Sequence, residues 1–167
     1  MVSSYTQELR KHRNDISHLL NYASSKLLDA SASHDISKYS IDERSEWLAT
    51  RKLASIPYMS GEWVSLREEL IPGGKPIHYV HNDHHPECYV DGTRGVNLVK
   101  ALEMAADHFS ATLRHHEVLT ESIIRDVVKS NQERFRWSDD FASIMLNTLL
   151  DFFKEVDLNY QEEGKSN

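Results

Sequence analysis

The sequence is short of several things, and each shortage excludes something. It has one cysteine, Cys88, in 167 residues. No disulfide can therefore form within the chain, which fits a reducing compartment. Cys88 directly follows a histidine-rich stretch and reads as a small buried residue, with metal ligation or thiol reactivity as the other readings. No apolar run approaches the ~18 residues of a membrane span. The opening segment MVSSYTQELRKH has no apolar core of the kind a secretory signal needs. Together these features lead us to expect a cytoplasmic protein. A basic excess is also missing: 19 Lys and Arg stand against 26 Asp and Glu, for a net charge of −7. Duplex nucleic acid calls for a basic surface, so it is not an expected partner, although a local basic pocket for a small anion remains compatible. There is no G-x-S-x-G, no phosphate-binding glycine loop, no dinucleotide fingerprint, no H-E-x-x-H and no cysteine pair. Glycine is scarce, and four of the six, Gly73, Gly74, Gly92 and Gly95, fall between positions 73 and 95.

What is present is helical periodicity, close to 3.6 nearly everywhere. Ser4-Tyr5-Thr6-Gln7 reads as a capping box for a helix to about Ala30, with Leu9, Ile16, Leu19, Leu20, Ala23 and Leu27 on its apolar face. The run Ser31-Ala32-Ser33 is expected to interrupt it. Ser40-Ile41-Asp42-Glu43 is a second capping box, for a helix to about Leu53. Pro57 breaks the chain, a shorter helix covers roughly Glu62 to Leu70, and residues 72–76 (PGGKP) form a turn. Residues 77–82 read as helical, but His85 precedes Pro86 and is disfavoured in the α region, so that helix should stop before the His84-His85 pair. Residues 88–96 read as a loop. Asn97 caps a helix to about His115, another spans about Thr120 to Ser130, and a last one begins at Ser138 with Phe141, Met145, Leu149, Phe152 and Val156 on one face. The expectation is an all-α protein of six or seven helices, one helical domain over 1–160 followed by a polar tail, 161–167.

The chemistry is concentrated in His78–Glu87 (HYVHNDHHPE), which holds four of the ten histidines. Neutral imidazole is the commonest protein metal ligand. On a helix, His78 and His81 share a face, while His84 and His85 project from the irregular segment beyond. Glu87 is placed to hold an imidazole tautomer. Elsewhere the residues by themselves leave two readings. His12 lies in the apolar stripe of the first helix, either as a core histidine or as a ligand. His18, about 240° further round, reads as surface. His34-Asp35 can ligate from a bend. Lys38, one turn after Asp35, either pairs with an acidic neighbour or serves a phosphate. Asp107 shares a stripe with Lys100, Glu103, Ser110 and Arg114, the ordinary pattern of a solvated helix face. Arg114 and Arg134 are either structural or anion-binding.

The order of these residues resembles the HD-domain superfamily of metal-dependent phosphohydrolases: a histidine on an early helix (His12), an HD dipeptide (His34-Asp35), then a distant aspartate on a later helix (Asp107). HDISK and HHPECYVDG are also similar to segments of the HD-GYP branch, which binds two metals with extra histidines; the spacing from His78 to the HH pair is shorter here, and no GYP follows. Over residues 7–153 the chain more closely resembles an uncharacterised HD-like family of bacteria and phages. The shared motifs are Lys11-His12, HDISK, His78-Tyr79, HHPE, NLVKALEM, Asp107 and NQERF.

The resemblance implies a first ion on His12, His34, Asp35 and Asp107, with Asp35 bridging to a second on His78, His84 and His85, and it leaves out His81. One or two ions of Mn, Fe, Co or Zn are the cofactors expected of such a thiolate-free donor set. The implied activity is hydrolysis of a phosphoester, a nucleotide or related small molecule. Asp35 and Lys38 would be the catalytic residues, and Lys38, Arg114 and Arg134 would bind the substrate. A homodimer is compatible with the sequence. The alternatives are a di-iron oxygenase on the same scaffold and a non-catalytic protein that keeps metal for structure or sensing.

Overall fold

A computed structural model describes residues 4–56, 60–71, 76–116 and 118–163. Pro57, the turn residues 72–75 and the tail residues 164–167 lie outside the described residues. Among the described residues there are seven α-helices and no strand, as the 3.6 periodicity requires. The chain divides into two compact units, Met1–His34 and Asp35–Asn167.

The first unit is one helix, α1 (Ser4–Ser33). It does not stop at Ala30, because the serine-rich end is satisfied within the helix. The Ser33 hydroxyl donates to the Asp29 carbonyl one turn back, at 2.8 Å.

The second unit holds α2 (Ile41–Thr50), α3 (Gly61–Leu70), α4 (Ile77–His81), α5 (Leu98–His115), α6 (Glu121–Phe135) and α7 (Asp139–Glu163). Most starts are fixed by a side-chain oxygen accepting an otherwise orphaned backbone N–H. Ser40 accepts from Glu43 at 3.3 Å, Ser60 from Trp63 at 3.1 Å, Asn97 from Lys100 at 3.0 Å, Thr120 from Ile123 at 3.3 Å and Ser138 from Phe141 at 3.2 Å.

The core of this unit is built by α5, α6 and α7. Met104, Ala105 and Phe109 of α5 pack with Ile124 and Val128 of α6, and with Trp137, Ala142, Met145 and Leu149. Phe141, Phe152 and Val156 complete the face expected of α7. Helix α6 runs one turn past its expected end, to Phe135. Arg136 then adopts the left-handed conformation (φ 53°), and its N–H bonds to the Gln132 carbonyl, which closes the helix. That reversal brings Trp137 into the core, where it and Phe135 stack on His108 at centroid distances of 5.8 and 6.0 Å. Helix α5 is thus anchored by its apolar face. Helix α4 contacts α2, and residues 82–95 make short turns between α4 and α5.

Candidate metal centre

The site in the second unit begins at its first residue. Asp35 has a left-handed backbone (φ 56°, ψ 16°) and opens the tight turn Ile36–Tyr39. That conformation is uncommon outside glycine and, where it occurs, collects at functional positions. The turn returns Lys38 onto Asp35, so the ammonium pairs with Asp35 Oδ2. Helix α4 supplies His78. It ends at His81, and the chain then turns so that His84 and His85 face back towards His78. His85 is extended (φ −94°, ψ 130°) before Pro86, as expected of a residue preceding proline.

Asp35, His78, His84 and His85 each offer one ligand atom, and these atoms all lie within 4.8 Å of one another. His78 Nε2 is 3.1 Å and His84 Nε2 3.5 Å from the same oxygen, Asp35 Oδ1. The His85 ring centroid is 4.8 Å from that of His78 and 4.4 Å from that of His84. His84 and His85 are buried, at 2% and 8% exposure. Burial first, then the neighbouring His84 and His78, push the His85 imidazole down to about 3, so it is neutral and carries a lone pair at physiological pH. His85 Nε2 is buried with no hydrogen-bond partner among the described residues. An unsatisfied buried nitrogen costs about 1–3 kcal/mol, and a cation in the cluster would remove that cost. Three imidazoles and one carboxylate, turned together and partly to fully buried, can hold a metal ion.

The other ring nitrogens of His78 and His84 are engaged by two carboxylates. Glu43 Oε2 lies 2.9 Å from His78 Nδ1, and Glu103 Oε1 lies 3.2 Å from His84 Nδ1. A carboxylate there accepts the Nδ1–H, fixes the tautomer and leaves Nε2 as the donor atom. Glu43 is 5% exposed. Asn82 closes the arrangement: its amide donates to Ser37 Oγ and to the His78 carbonyl, both at 2.8 Å. Glu103 in turn pairs with Lys100 at 2.9 Å, and Lys100 with Asp83 at 2.7 Å.

A family model matches residues 1–155 of the chain. The chain belongs to DUF5662, described as a family of unknown function. No curated protein and no solved structure matches it. The chemistry of this DUF5662 protein has to be read from its own residues.

Of the expected ligands, Asp35, His78, His84 and His85 are brought together, and an oxygen of Asp107 on α5 lies within 4.8 Å of a His84 ring nitrogen. His12 is on α1 and His34 is the last residue of the first unit. His81 is exposed, so spacing alone misjudged it, whereas the resemblance had set it aside. Arg114 is exposed, but Arg134 lines a cavity beside the cluster. The part expected of Glu87 is taken by others. Glu87 pairs with Arg134 at 3.8 Å, and Glu43 and Glu103 hold the imidazoles. Glu43 was legible only as half of a capping box and Glu103 only as part of a solvated stripe. That stripe is not solvated at Glu103, whose side chain is 8% exposed.

Proposed function

We propose that this protein is a metal-dependent phosphohydrolase of HD-like type. Asp35, His78, His84 and His85 would hold a divalent Mn, Fe, Co or Zn ion, and the substrate would be a small phosphoester. The observation that carries the reading is the convergence of three imidazoles and a carboxylate within 4.8 Å, two of the imidazoles being backed by carboxylates on Nδ1. Such backing is the usual signature of a histidine prepared for metal. A bound ion of this kind supplies Lewis acidity and a water acidic enough to act as a nucleophile near neutral pH.

The chain's own residues supply the rest. Glu43 and Glu103 keep Nε2 of His78 and His84 aimed at Asp35 Oδ1. Asp35 places one oxygen among the imidazoles and the other on Lys38. Lys38 thereby holds a positive charge at the edge of the cluster, its side chain 51% exposed, where an incoming phosphoryl group would meet it. A nucleotide is the substrate class that the HD resemblance implies.

The test is metal analysis joined to a phosphoester panel. Purified protein should carry about one to two equivalents of transition metal per chain and hydrolyse at least one class in the panel. Asp35→Ala should lose both properties. A fully folded, metal-free protein that takes up no added metal would overturn the metal reading. Metal-loaded protein that hydrolyses nothing, or that consumes oxygen instead, would overturn the hydrolase reading.

A further inference from the structure

Beside the cluster lies a cavity of about 580 Å³, within the size range of small-molecule sites. It shares residues with the proposed centre: His78 lines it, and so does Lys38, which pairs with Asp35. Its other notable residues come from α2, α3 and α6. They are Trp47 and Trp63, two of the chain's three tryptophans, and the cations Arg67 and Arg134. Trp47 is 57% exposed although it lies in a cavity wall. Each indole also carries an arginine against its ring, Arg51 on Trp47 at 5.3 Å and Arg67 on Trp63 at 5.6 Å. Trp63 is half-buried, and Glu43 and Glu46 line the cavity together with the cations Lys38, Arg67 and Arg134. Indoles backed by guanidinium groups beside such cations form a stacking surface suited to the flat ring of an anionic molecule.

We propose that Trp47 and Trp63 seat a planar aromatic ring in the leaving group of the substrate, while Lys38 and Arg134 meet its phosphate. The two tryptophans would then determine specificity, selecting aromatic phosphoesters of nucleotide size over ring-less ones. This inference rests on the metal-phosphoester reading for its orientation, but ring binding itself can be measured without turnover.

The experiment titrates the full chain, with metal chelated, with adenosine 5′-monophosphate and with ribose 5-phosphate, following indole emission. Trp137 is only 5% exposed in the core, so it gives a constant background. We expect the nucleotide to quench Trp47 and Trp63 and to bind about tenfold or more tighter than ribose 5-phosphate, as a stacked base should. Trp47→Leu should remove that preference, and Trp47→Phe, which keeps a ring, should retain most of it. Equal affinity for the two probes, no binding of the nucleotide, or an unchanged preference in Trp47→Leu would overturn the proposal. The two readings fail separately. If no phosphoester is hydrolysed while the quenching and preference persist, the hydrolase reading falls and the ring seat stands. If ribose 5-phosphate is hydrolysed as efficiently as the nucleotide, the hydrolase stands and the ring seat falls.

Discussion

Glu43 gives the sharpest test of how the centre is built, because it touches the proposed metal only through His78. Its Oε2 is 2.9 Å from His78 Nδ1, its Oε1 is 3.5 Å from the Asn82 amide, and the residue is 5% exposed. Glu43→Gln retains the volume and one acceptor for the Nδ1–H but removes the negative charge that raises the basicity of the imidazole. Loss of such a partner costs about 10–100-fold in metal affinity, or about 1.4–2.8 kcal/mol at 1.4 kcal/mol per factor of ten. We place Glu43→Gln near tenfold, since the hydrogen bond survives. Glu43→Ala should lie near a hundredfold, because it also strands the His78 Nδ1–H at a cost of about 1–3 kcal/mol. The assay is competition for Co²⁺ against a chelator of known affinity, read from the visible absorption of bound cobalt. Glu121→Gln is the control, because Glu121 sits on the exposed face of α6, its side chain 59% exposed and paired with Arg125 at 3.4 Å. A Glu43→Gln protein that is folded and binds cobalt within about twofold of the parent would refute the reasoning. It would mean that Glu43 only packs α4 on α2 and does not tune the ligand.

Three other outcomes follow from the same geometry. Lys38→Ala should keep its metal, because Lys38 meets the cluster at Asp35 Oδ2 and is not itself among the candidate ligands, yet phosphoester turnover should fall by about a hundredfold; a metal analysis showing loss of the ion would make Lys38 structural. Glu103→Gln should weaken metal binding by about tenfold through His84, and should add to Glu43→Gln nearly independently, as competition with the double variant would show. Leu149→Ala, at a position 1% exposed in the three-helix core, should lower stability by about 3 kcal/mol in denaturant unfolding, while metal stoichiometry well below the melting range stays unchanged.

Much of this molecule is readable locally, and the reason is physical. Helix periodicity and hydroxyl or amide caps are contacts within three or four residues, so Ser40, Asn97, Thr120 and Ser138 mark their helices in the sequence as they do in the structure. The Lys38–Asp35 pair and the extended His85 before Pro86 are equally local and were equally legible. The place of Trp47 and Trp63 in a cavity wall gave no sign, because nothing nearby in sequence distinguishes a cavity wall from an ordinary amphipathic face.

What the sequence determined by itself was the all-α character and the histidine-rich stretch, with His78, His84 and His85 selected by resemblance over His81. Only the tertiary structure decided which carboxylates serve those histidines. Glu43 is 35 residues from His78 in the chain and comes from a different helix. Its capping-box position explains its backbone N–H but says nothing of where its carboxylate goes. Glu103 sits on a stripe whose pattern reads as solvent-facing, yet it is buried, with His84 Nδ1 3.2 Å from its Oε1. Ligand type is a property of the residue, but the aim of a ring nitrogen is set by partners that only packing brings within hydrogen-bonding distance.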